Sequence, residues 1–200
     1  LFALEDVSAE RIPHVAPNPR GDKVCVALYD ALHNGYFLME LPVPFEGAAV
    51  DGDRLTTADA RLDAESIAYS PSGDRVAYLI SRSARYHELW IVETGGGDVN
   101  GVPIVFGVSE RRFAFNRNGS TILVSQISEE DDLPHAFVVA NSDGAVLHDL
   151  GVGRTGHEAW HPSEAFVVVA APDSRGFDQI WAVETAAPYR RVQLTTLEDG

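Results

Sequence analysis

The chain has 200 residues, of which 45% are hydrophobic, and its 30 acidic and 15 basic side chains give a formal net charge of -15. This hydrophobic content is normal for a globular protein and argues against disorder. The negative charge argues against binding to nucleic acid, which needs Lys and Arg to release counterions, and against binding to an anionic membrane surface.

A pattern of apolar strand, tight turn and apolar strand recurs four times along the chain. The clearest copy has Ile67-Ala68-Tyr69, then Ser70-Pro71-Ser72-Gly73-Asp74, then Arg75 and the apolar run 76–80. Proline fixes φ at one corner of such a turn and glycine supplies the unusual backbone at another, while β-branched and aromatic residues favour strands. The four copies of the turn and its lead-in lie, in chain order, at 16–22, 68–74, 114–120 and 159–165.

The spacing of the copies predicts the fold. The equivalent turn positions Gly21, Gly73, Gly119 and Glu164 are separated by 52, 46 and 45 residues. A period of about 45 residues with three or four strands per repeat is typical of β-propeller blades. We therefore predict an all-β fold of four-stranded antiparallel blades. The predicted blades cover 14–57, 65–107, 110–150 and 156–196, within a single domain or segment over residues 1–200.

Two families share features of this repeat. The stretches Ser70-Pro71-Ser72-Gly73-Asp74-Arg75-Val76-Ala77-Tyr78 and 173–181 resemble the WD-type repeat of TolB-like β-propellers. The resemblance implies a ring of six blades, so the four blades are expected to be part of a larger ring. Open apolar blade faces would then pair with a second copy or with neighbouring segments. The alternatives are closure as a four-bladed ring and completion of one ring by two chains. Leu4-Glu5-Asp6-Val7 with 19–22 also resembles the start of the propeller in prolyl-oligopeptidase-type peptidases.

The aromatic residues of the repeat are predicted to pack between blades. Tyr69, Phe115 and Trp160 occupy equivalent positions just before their turns. Stacked repeats bury equivalent large residues against one another, which favours packing over a ligand cage. Cys25 lies within an apolar strand and is interpreted as a small buried hydrophobe.

The sequence shows no catalytic motif that fits its predicted elements. A serine hydrolase of the α/β type needs Gly-x-Ser-x-Gly on a strand-to-helix elbow, and no such pentapeptide occurs. His157-Glu158-Ala159-Trp160-His161 matches a zinc motif, but in the predicted strand its histidines lie about 13 Å apart at roughly 3.3 Å per residue. We predict no catalytic residue, metal ligand or cofactor. The stretch 156–160 also faintly resembles histidine-metal lyases with propeller folds.

A binding site is predicted at the mouth of the channel. Equivalent positions near the crowded axis are predicted for four alanines: Ala16, Ala68, Ala114 and Ala159. The alternate face is predicted to pack between blades and carries Val15, Ile67, Phe113 and Glu158. The polar residues two positions before the alanines are His14, Ser66, Arg112 and His157. Polar groups that converge in a concave site favour ligand binding.

Three functions follow from these features. The leading prediction is a non-catalytic propeller that binds a protein, peptide or glycan partner. The first alternative is the regulatory propeller of a prolyl-oligopeptidase-type serine hydrolase. The second alternative is a propeller-type lyase with an axial metal site.

Overall fold

The computed structural model describes residues 14–43, 52–95, 101–128, 133–152, 158–186 and 188–197. All regular structure in these ranges is β-strand, which confirms the predicted all-β fold. Within them, no helix is long and apolar enough to cross a membrane. The chain divides into two compact units, Leu1–Phe106 and Gly107–Gly200. That all 200 residues form one domain stays a prediction.

The first unit begins with sheet 1, an antiparallel sheet of four strands in sequence order. Its strands are β1 (Val15–Pro17), β2 (Lys23–Asp30), β3 (Gly35–Pro42) and β4 (Asp53–Arg54). The central pair is in register over its whole length, from Lys23 opposite Pro42 to Asp30 opposite Gly35.

Sheet 2 is formed by β5 (Leu62–Tyr69), β6 (Arg75–Ser83), β7 (Tyr86–Glu93) and the start of β8 (Val102–Phe115). The boundary predicted near residues 107–110 lies within β8, which runs unbroken for 14 residues, and it stays a prediction. This strand pairs with β7 on one side and with β9 (Thr121–Ile127) on the other. It therefore closes one repeat and opens the next.

The second unit contains sheets 3 and 4. Sheet 3 has the end of β8, then β9, β10 (Pro134–Ala140) and β11 (Val146–Val152). Sheet 4 has β12 (Ala159–Trp160), β13 (Phe166–Pro172), β14 (Asp178–Glu184) and β15 (Arg191–Gln193) in sequence order. Each sheet is antiparallel, as predicted for propeller blades.

The four predicted turns are confirmed at the backbone level. In each, the amide of the glycine-equivalent residue donates to the carbonyl three residues earlier, at 2.8–3.0 Å. Gly21, Gly73 and Gly119 have φ values of 75°, 71° and 75°, which glycine adopts without steric cost. Glu164 has φ 59° at the same position, so the fourth turn keeps the left-handed backbone without a glycine.

The first unit has its apolar core between sheets 1 and 2. Ala16, Cys25 and Leu38 come from sheet 1, and Tyr69 and Tyr78 come from sheet 2. Cys25 is fully buried, as interpreted from its strand. The interface is built from strand faces that alternate every second residue, so each sheet contributes one side of its pleat.

The second unit has a corresponding core between sheets 3 and 4. Leu123 and Val138 pack with Val167, Val169 and Val183. Trp160 packs against this core and Tyr69 lies within that of the first unit, which confirms the predicted packing role for these two aromatic residues.

The other face of sheet 1 is also buried. Val26, Leu28, Phe37, Met39 and Leu41 form a separate apolar cluster and are only 3–6% exposed. The prediction of an open apolar face at this first blade is therefore wrong for these residues. The corresponding outward side chains of sheet 4 differ, because Phe166, Val168, Ala170, Ile180 and Ala182 are all half-buried.

Candidate functional site

The predicted channel-mouth residues have different environments. His14 is half-buried just before β1, Ser66 is buried in β5, and Arg112 is exposed in β8. His157 lies outside the described residues. His14 and Ser66 belong to the first unit and Arg112 to the second. Their convergence at one level of a channel stays a prediction.

The faces assigned to the inner strands are wrong for β1. Ala16, placed at the axis by sequence, is 4% exposed and belongs to the core between sheets 1 and 2. Val15, assigned to packing, is 47% exposed. In stacked sheets both faces of a strand turn towards neighbouring sheets, so side chains alternate between two interfaces and not between an axis and a core. Ile67 is buried, as predicted.

A polar network that the sequence did not reveal lies between sheets 1 and 2. The carboxylate of Glu40 is 1% exposed, and its Oε2 accepts a hydrogen bond from Lys23 Nζ at 2.9 Å. Its Oε1 accepts a hydrogen bond from the Tyr69 hydroxyl at 2.7 Å. Buried charges need such partners, because desolvation otherwise makes them costly. The one sequence signal was a glutamate in a strand whose neighbours are apolar.

The network changes the acid–base behaviour of its members. Hydrogen bonding to Glu40 raises the pKa of Lys23, although partial burial opposes the shift. Burial raises the pKa of the Cys25 thiol, and the charge of Glu40 raises it further. Burial and the hydrogen bond to Glu40 likewise raise the pKa of Tyr69. These shifts hold Cys25 and Tyr69 in their neutral forms, which suits a structural network better than a nucleophilic one.

The turns of sheets 1 and 2 are tied by side chains of the first turn. The Asn18 amide donates to the carbonyl of Gly73 at 3.3 Å, and Arg20 donates to the carbonyl of Ser72 at 2.8 Å. A Cβ at Gly73 would lie 2.7 Å from the Asn18 side-chain oxygen, so this position needs glycine for space as well as for φ.

The turns of sheets 3 and 4 are tied in the opposite direction. The Glu164 carboxylate, on the later turn, accepts a hydrogen bond from the backbone amide of Arg117 on the earlier one. Trp160 Nε1 also donates to the carbonyl of Ala114 at 3.0 Å. In both bonds the side chain belongs to the later repeat, and its partner is a backbone group of the earlier repeat.

The His-Glu-x-x-His stretch is extended where it is described. Ala159–Trp160 is strand β12, and the Nδ1 of the exposed His161 lies 2.8 Å from the hydroxyl of Ser163. The described residues 158–161 of this stretch are not helical, His157 lies outside the described residues, and the absence of a zinc site stays a prediction. Among the described residues, no group of three His, Cys, Asp or Glu side chains is placed to hold a metal ion.

No protein-family model matches the chain, and no curated protein matches it. Solved structures do match in fold. TolB from Acinetobacter baumannii is 11% identical with a TM-score of 0.59, and the match covers 92% of this chain and 43% of that one. Pyrococcus horikoshii acylaminoacyl peptidase is 12% identical with a TM-score of 0.61, covering 92% of this chain and 32% of that one. An oligogalacturonate lyase in complex with manganese is 12% identical with a TM-score of 0.62, covering 88% and 49%.

These matches confirm the fold predicted from the repeats. The chain has the β-propeller fold of TolB-like proteins and of the propellers in prolyl-oligopeptidase-type peptidases. It spans less than half the length of each of the three structures described above.

Proposed function

We propose that the chain is a non-catalytic, TolB-like propeller segment that binds a protein, peptide or glycan partner. The observation that carries the proposal is the array of four-stranded antiparallel sheets with the fold of TolB. TolB-like neighbours favour a protein-interaction role over other uses of the fold. Fold alone does not assign a partner, so the proposal depends on a site that can be tested.

The proposed site is the channel mouth formed by His14, Ser66, Arg112 and His157. Arg112 is exposed and offers a planar fork suited to a carboxylate or phosphate group. Histidines become cationic below about pH 6.5 and would add to this charge. The partner is therefore expected to present an anionic group, in contrast to the net negative charge of the chain.

The test is partner binding by single-residue variants. A partner captured by the chain and identified by mass spectrometry is purified, and its affinity is measured for the original chain and for Arg112→Ala and His157→Ala. Both variants should bind more weakly while keeping the β-sheet circular dichroism spectrum. Arg175→Ala is the matched control, because Arg175 is paired with Asp173 in a different loop. Unchanged affinity in both test variants would remove the channel mouth as the site.

We also propose that the sheets form part of a larger ring. Five half-buried side chains of sheet 4 that face away from sheet 3 are apolar, and the half-buried Asp178 and Glu184 lie at the two ends of this face: the apolar five are Phe166, Val168, Ala170, Ile180 and Ala182. An apolar face of this kind favours pairing with a further blade or with a second copy. Light scattering should show concentration-dependent association of the isolated chain, and a monomer at all concentrations would contradict it.

The peptidase alternative is supported by the fold match to acylaminoacyl peptidase. In that case the chain would be the propeller that accompanies a hydrolase domain. The reading frame around the 200 residues tests this alternative directly. A following α/β-hydrolase sequence with a Gly-x-Ser-x-Gly elbow would support it, and a frame without one would contradict it.

The lyase alternative is supported by the fold match to a manganese-bound oligogalacturonate lyase. Its histidine would be His157, which imidazole chemistry suits as a metal ligand. Calorimetric titration with Mn²⁺ tests it: binding that His157→Ala abolishes would support a metal site, and no binding would contradict it.

A further inference from the structure

A cavity in the first unit lies apart from the channel-mouth residues. Its volume is about 280 Å³, close to the lower end of the ~300–1,000 Å³ typical of small-molecule sites. It is lined by Thr56, Thr57, Asp59, Leu62, Tyr78, Ile80, Trp90 and Gly101. A volume of this size suits one ring of a small ligand.

The hydroxyl of Tyr78 is a buried hydrogen-bond donor at this cavity. Tyr78 is 3% exposed, and its oxygen accepts a hydrogen bond from the backbone of Gly101. No described residue accepts the hydrogen of this hydroxyl. A Cβ at Gly101 would lie 2.4 Å from the Tyr78 oxygen, so glycine is what allows the phenol to reach this position.

Thr56 provides a second buried hydroxyl. Its side chain is 4% exposed, and its oxygen accepts a hydrogen bond from the backbone amide of Leu38 at 2.9 Å. As with Tyr78, the described part of the chain contains no acceptor for its hydrogen. Buried hydroxyls are usually paired, so two unused donors beside one cavity point to a ligand that accepts hydrogen bonds.

The remaining walls combine a carboxylate with apolar surface. Arg61 donates three hydrogen bonds to Asp59: its backbone amide and Nε donate to Oδ1 at 2.8 and 3.0 Å, and its Nη2 donates to Oδ2 at 2.8 Å. Oδ2 therefore still has capacity to accept another hydrogen bond. Leu62, Ile80 and the half-buried indole of Trp90 form the apolar side. The ligand therefore needs hydroxyls that donate as well as accept, and an apolar face for the indole.

Charges around the cavity are balanced within the protein. Asp59 is paired with Arg61 at 2.8 Å, and Glu88 is paired with Arg82 at 2.6 Å. Glu88 also accepts the indole N–H of Trp90 at 3.0 Å, which fixes the ring. Because each carboxylate already has its cation, a charged ligand would gain no counter-ion here.

We propose that this cavity binds one pyranose ring of a neutral saccharide. The hydroxyls of Tyr78 and Thr56 donate to oxygen atoms of the sugar, Asp59 accepts from a sugar hydroxyl, and Trp90 covers the apolar face of the ring. The proposal goes beyond partner binding at the channel mouth, because it uses no residue of that site.

An NMR titration of the full chain with glucose, galactose and mannose tests the proposal, with galacturonate and glucosamine as charged comparisons. The reporter is the indole N–H signal of Trp90, assigned with a Trp90→Phe variant, and the signals of Trp160 and Trp181 serve as internal controls. At least one neutral sugar should move the Trp90 signal alone, and the charged sugars should bind more weakly.

Two variants and one matched control complete the test. Tyr78→Phe removes the hydroxyl, which donates to the sugar and accepts from the Gly101 backbone, and should weaken sugar binding about tenfold. Gly101→Ala should abolish binding, because the methyl group displaces the phenol. Tyr69→Phe makes the same chemical change at a tyrosine that does not line the cavity, and should keep the affinity. No response to any neutral sugar at tens of millimolar, or equal binding by Tyr78→Phe and the unmodified chain, would overturn the proposal.

Discussion

An aromatic side chain joins sheet 2 to sheet 1, and another joins sheet 4 to sheet 3, but the chemistry of the two contacts differs. In both, the aromatic residue that precedes the turn donates a hydrogen bond to the preceding sheet. Tyr69 donates to the buried carboxylate of Glu40, whereas Trp160 donates to the backbone carbonyl of Ala114. The first contact thus contains a buried charge at a point where the second uses only neutral groups.

The difference shows that the repeat determines the backbone structure of each sheet, while the side chains that join neighbouring sheets vary from one contact to the next. Glu40 lies opposite Cys25, and the residues at the equivalent positions of the other sheets are Ile91, Val138 and Ala182. A well-packed apolar residue therefore fits this place in the pleat. A buried ion pair is weak evidence for stability in itself, but removing one partner is costly.

The largest expected effect on stability comes from removing the cation beside Glu40. Lys23→Met should lower the free energy of unfolding by about 2.5 kcal/mol, below the ~3–5 kcal/mol of fully buried pairs because the Lys23 side chain is 31% exposed. Urea denaturation measures the change.

A triple variant separates charge from packing. Lys23→Met with Glu40→Leu and Tyr69→Phe replaces the whole network by apolar groups. It should recover to within about 1 kcal/mol of the original stability, since apolar replacements of buried ion pairs are often neutral. If the triple variant is no more stable than Lys23→Met, the loss comes from packing and the contrast between the two contacts disappears.

The next effect compares the two aromatic donors directly. Tyr69→Phe should cost about 2 kcal/mol, because it removes a hydrogen bond to a charged acceptor. Trp160→Phe should cost about 1 kcal/mol, because the bond it removes has a neutral acceptor and the indole is half-buried. Hydrogen exchange measured by mass spectrometry follows the two units separately. Equal losses at the two sites would show that the acceptor's charge does not matter.

The sequence predicted the fold because the fold depends on local patterns. Alternating apolar residues and the left-handed turn at Gly21, Gly73 and Gly119 can be read within a few residues. The Glu40 network could not be predicted in this way, because Tyr69 is 29 residues further along and on the next sheet. A glutamate in a strand normally indicates a solvent-facing side, and only the stacking of sheets shows that this one is buried.

The candidate site was less predictable than the fold for a related reason. Strand alternation shows which side chains share a face but not what that face meets. Ala16 and Val15 were therefore assigned to the wrong surroundings, although their separation onto opposite faces was correct. For the same reason the cavity beside Tyr78 and Trp90 could not be predicted from the sequence, since its lining comes from segments as far apart as Thr56 and Gly101.

Alkaline pH should weaken the first contact through Cys25. Its folded pKa lies above the ordinary 9.0, so its contribution to stability is fully present below pH 9.0 and is lost as the pH rises. The loss should be about 1.4 kcal/mol per pH unit above that value. In Cys25→Ala the onset should move to about pH 10, where Tyr69 and Tyr78, each with an ordinary pKa of 10.0 that burial raises, begin the same loss. Thermal unfolding under reducing conditions measures both onsets, and an identical onset would contradict the assignment to Cys25.

The smallest effect concerns the turn that lacks a glycine. At Glu164 two terms oppose each other: the left-handed φ of 59° costs a non-glycine residue about 1–2 kcal/mol, and the hydrogen bond to the Arg117 amide returns about 1 kcal/mol. Glu164→Gly should therefore change the stability by less than about 0.5 kcal/mol, while Glu164→Ala keeps the strain, loses the bond and should cost about 1 kcal/mol. Gly73→Ala, at φ 71° with Asn18 in the way, is the matched change in the first unit and should cost more than Glu164→Ala. The order of these three unfolding free energies decides whether the contact between the turns of sheets 1 and 2 and the contact between the turns of sheets 3 and 4 contribute equally to stability. If Gly73→Ala lowers the free energy of unfolding by no more than Glu164→Ala does, the close packing of Asn18 against Gly73 does not make the first turn more sensitive to a side chain than the fourth.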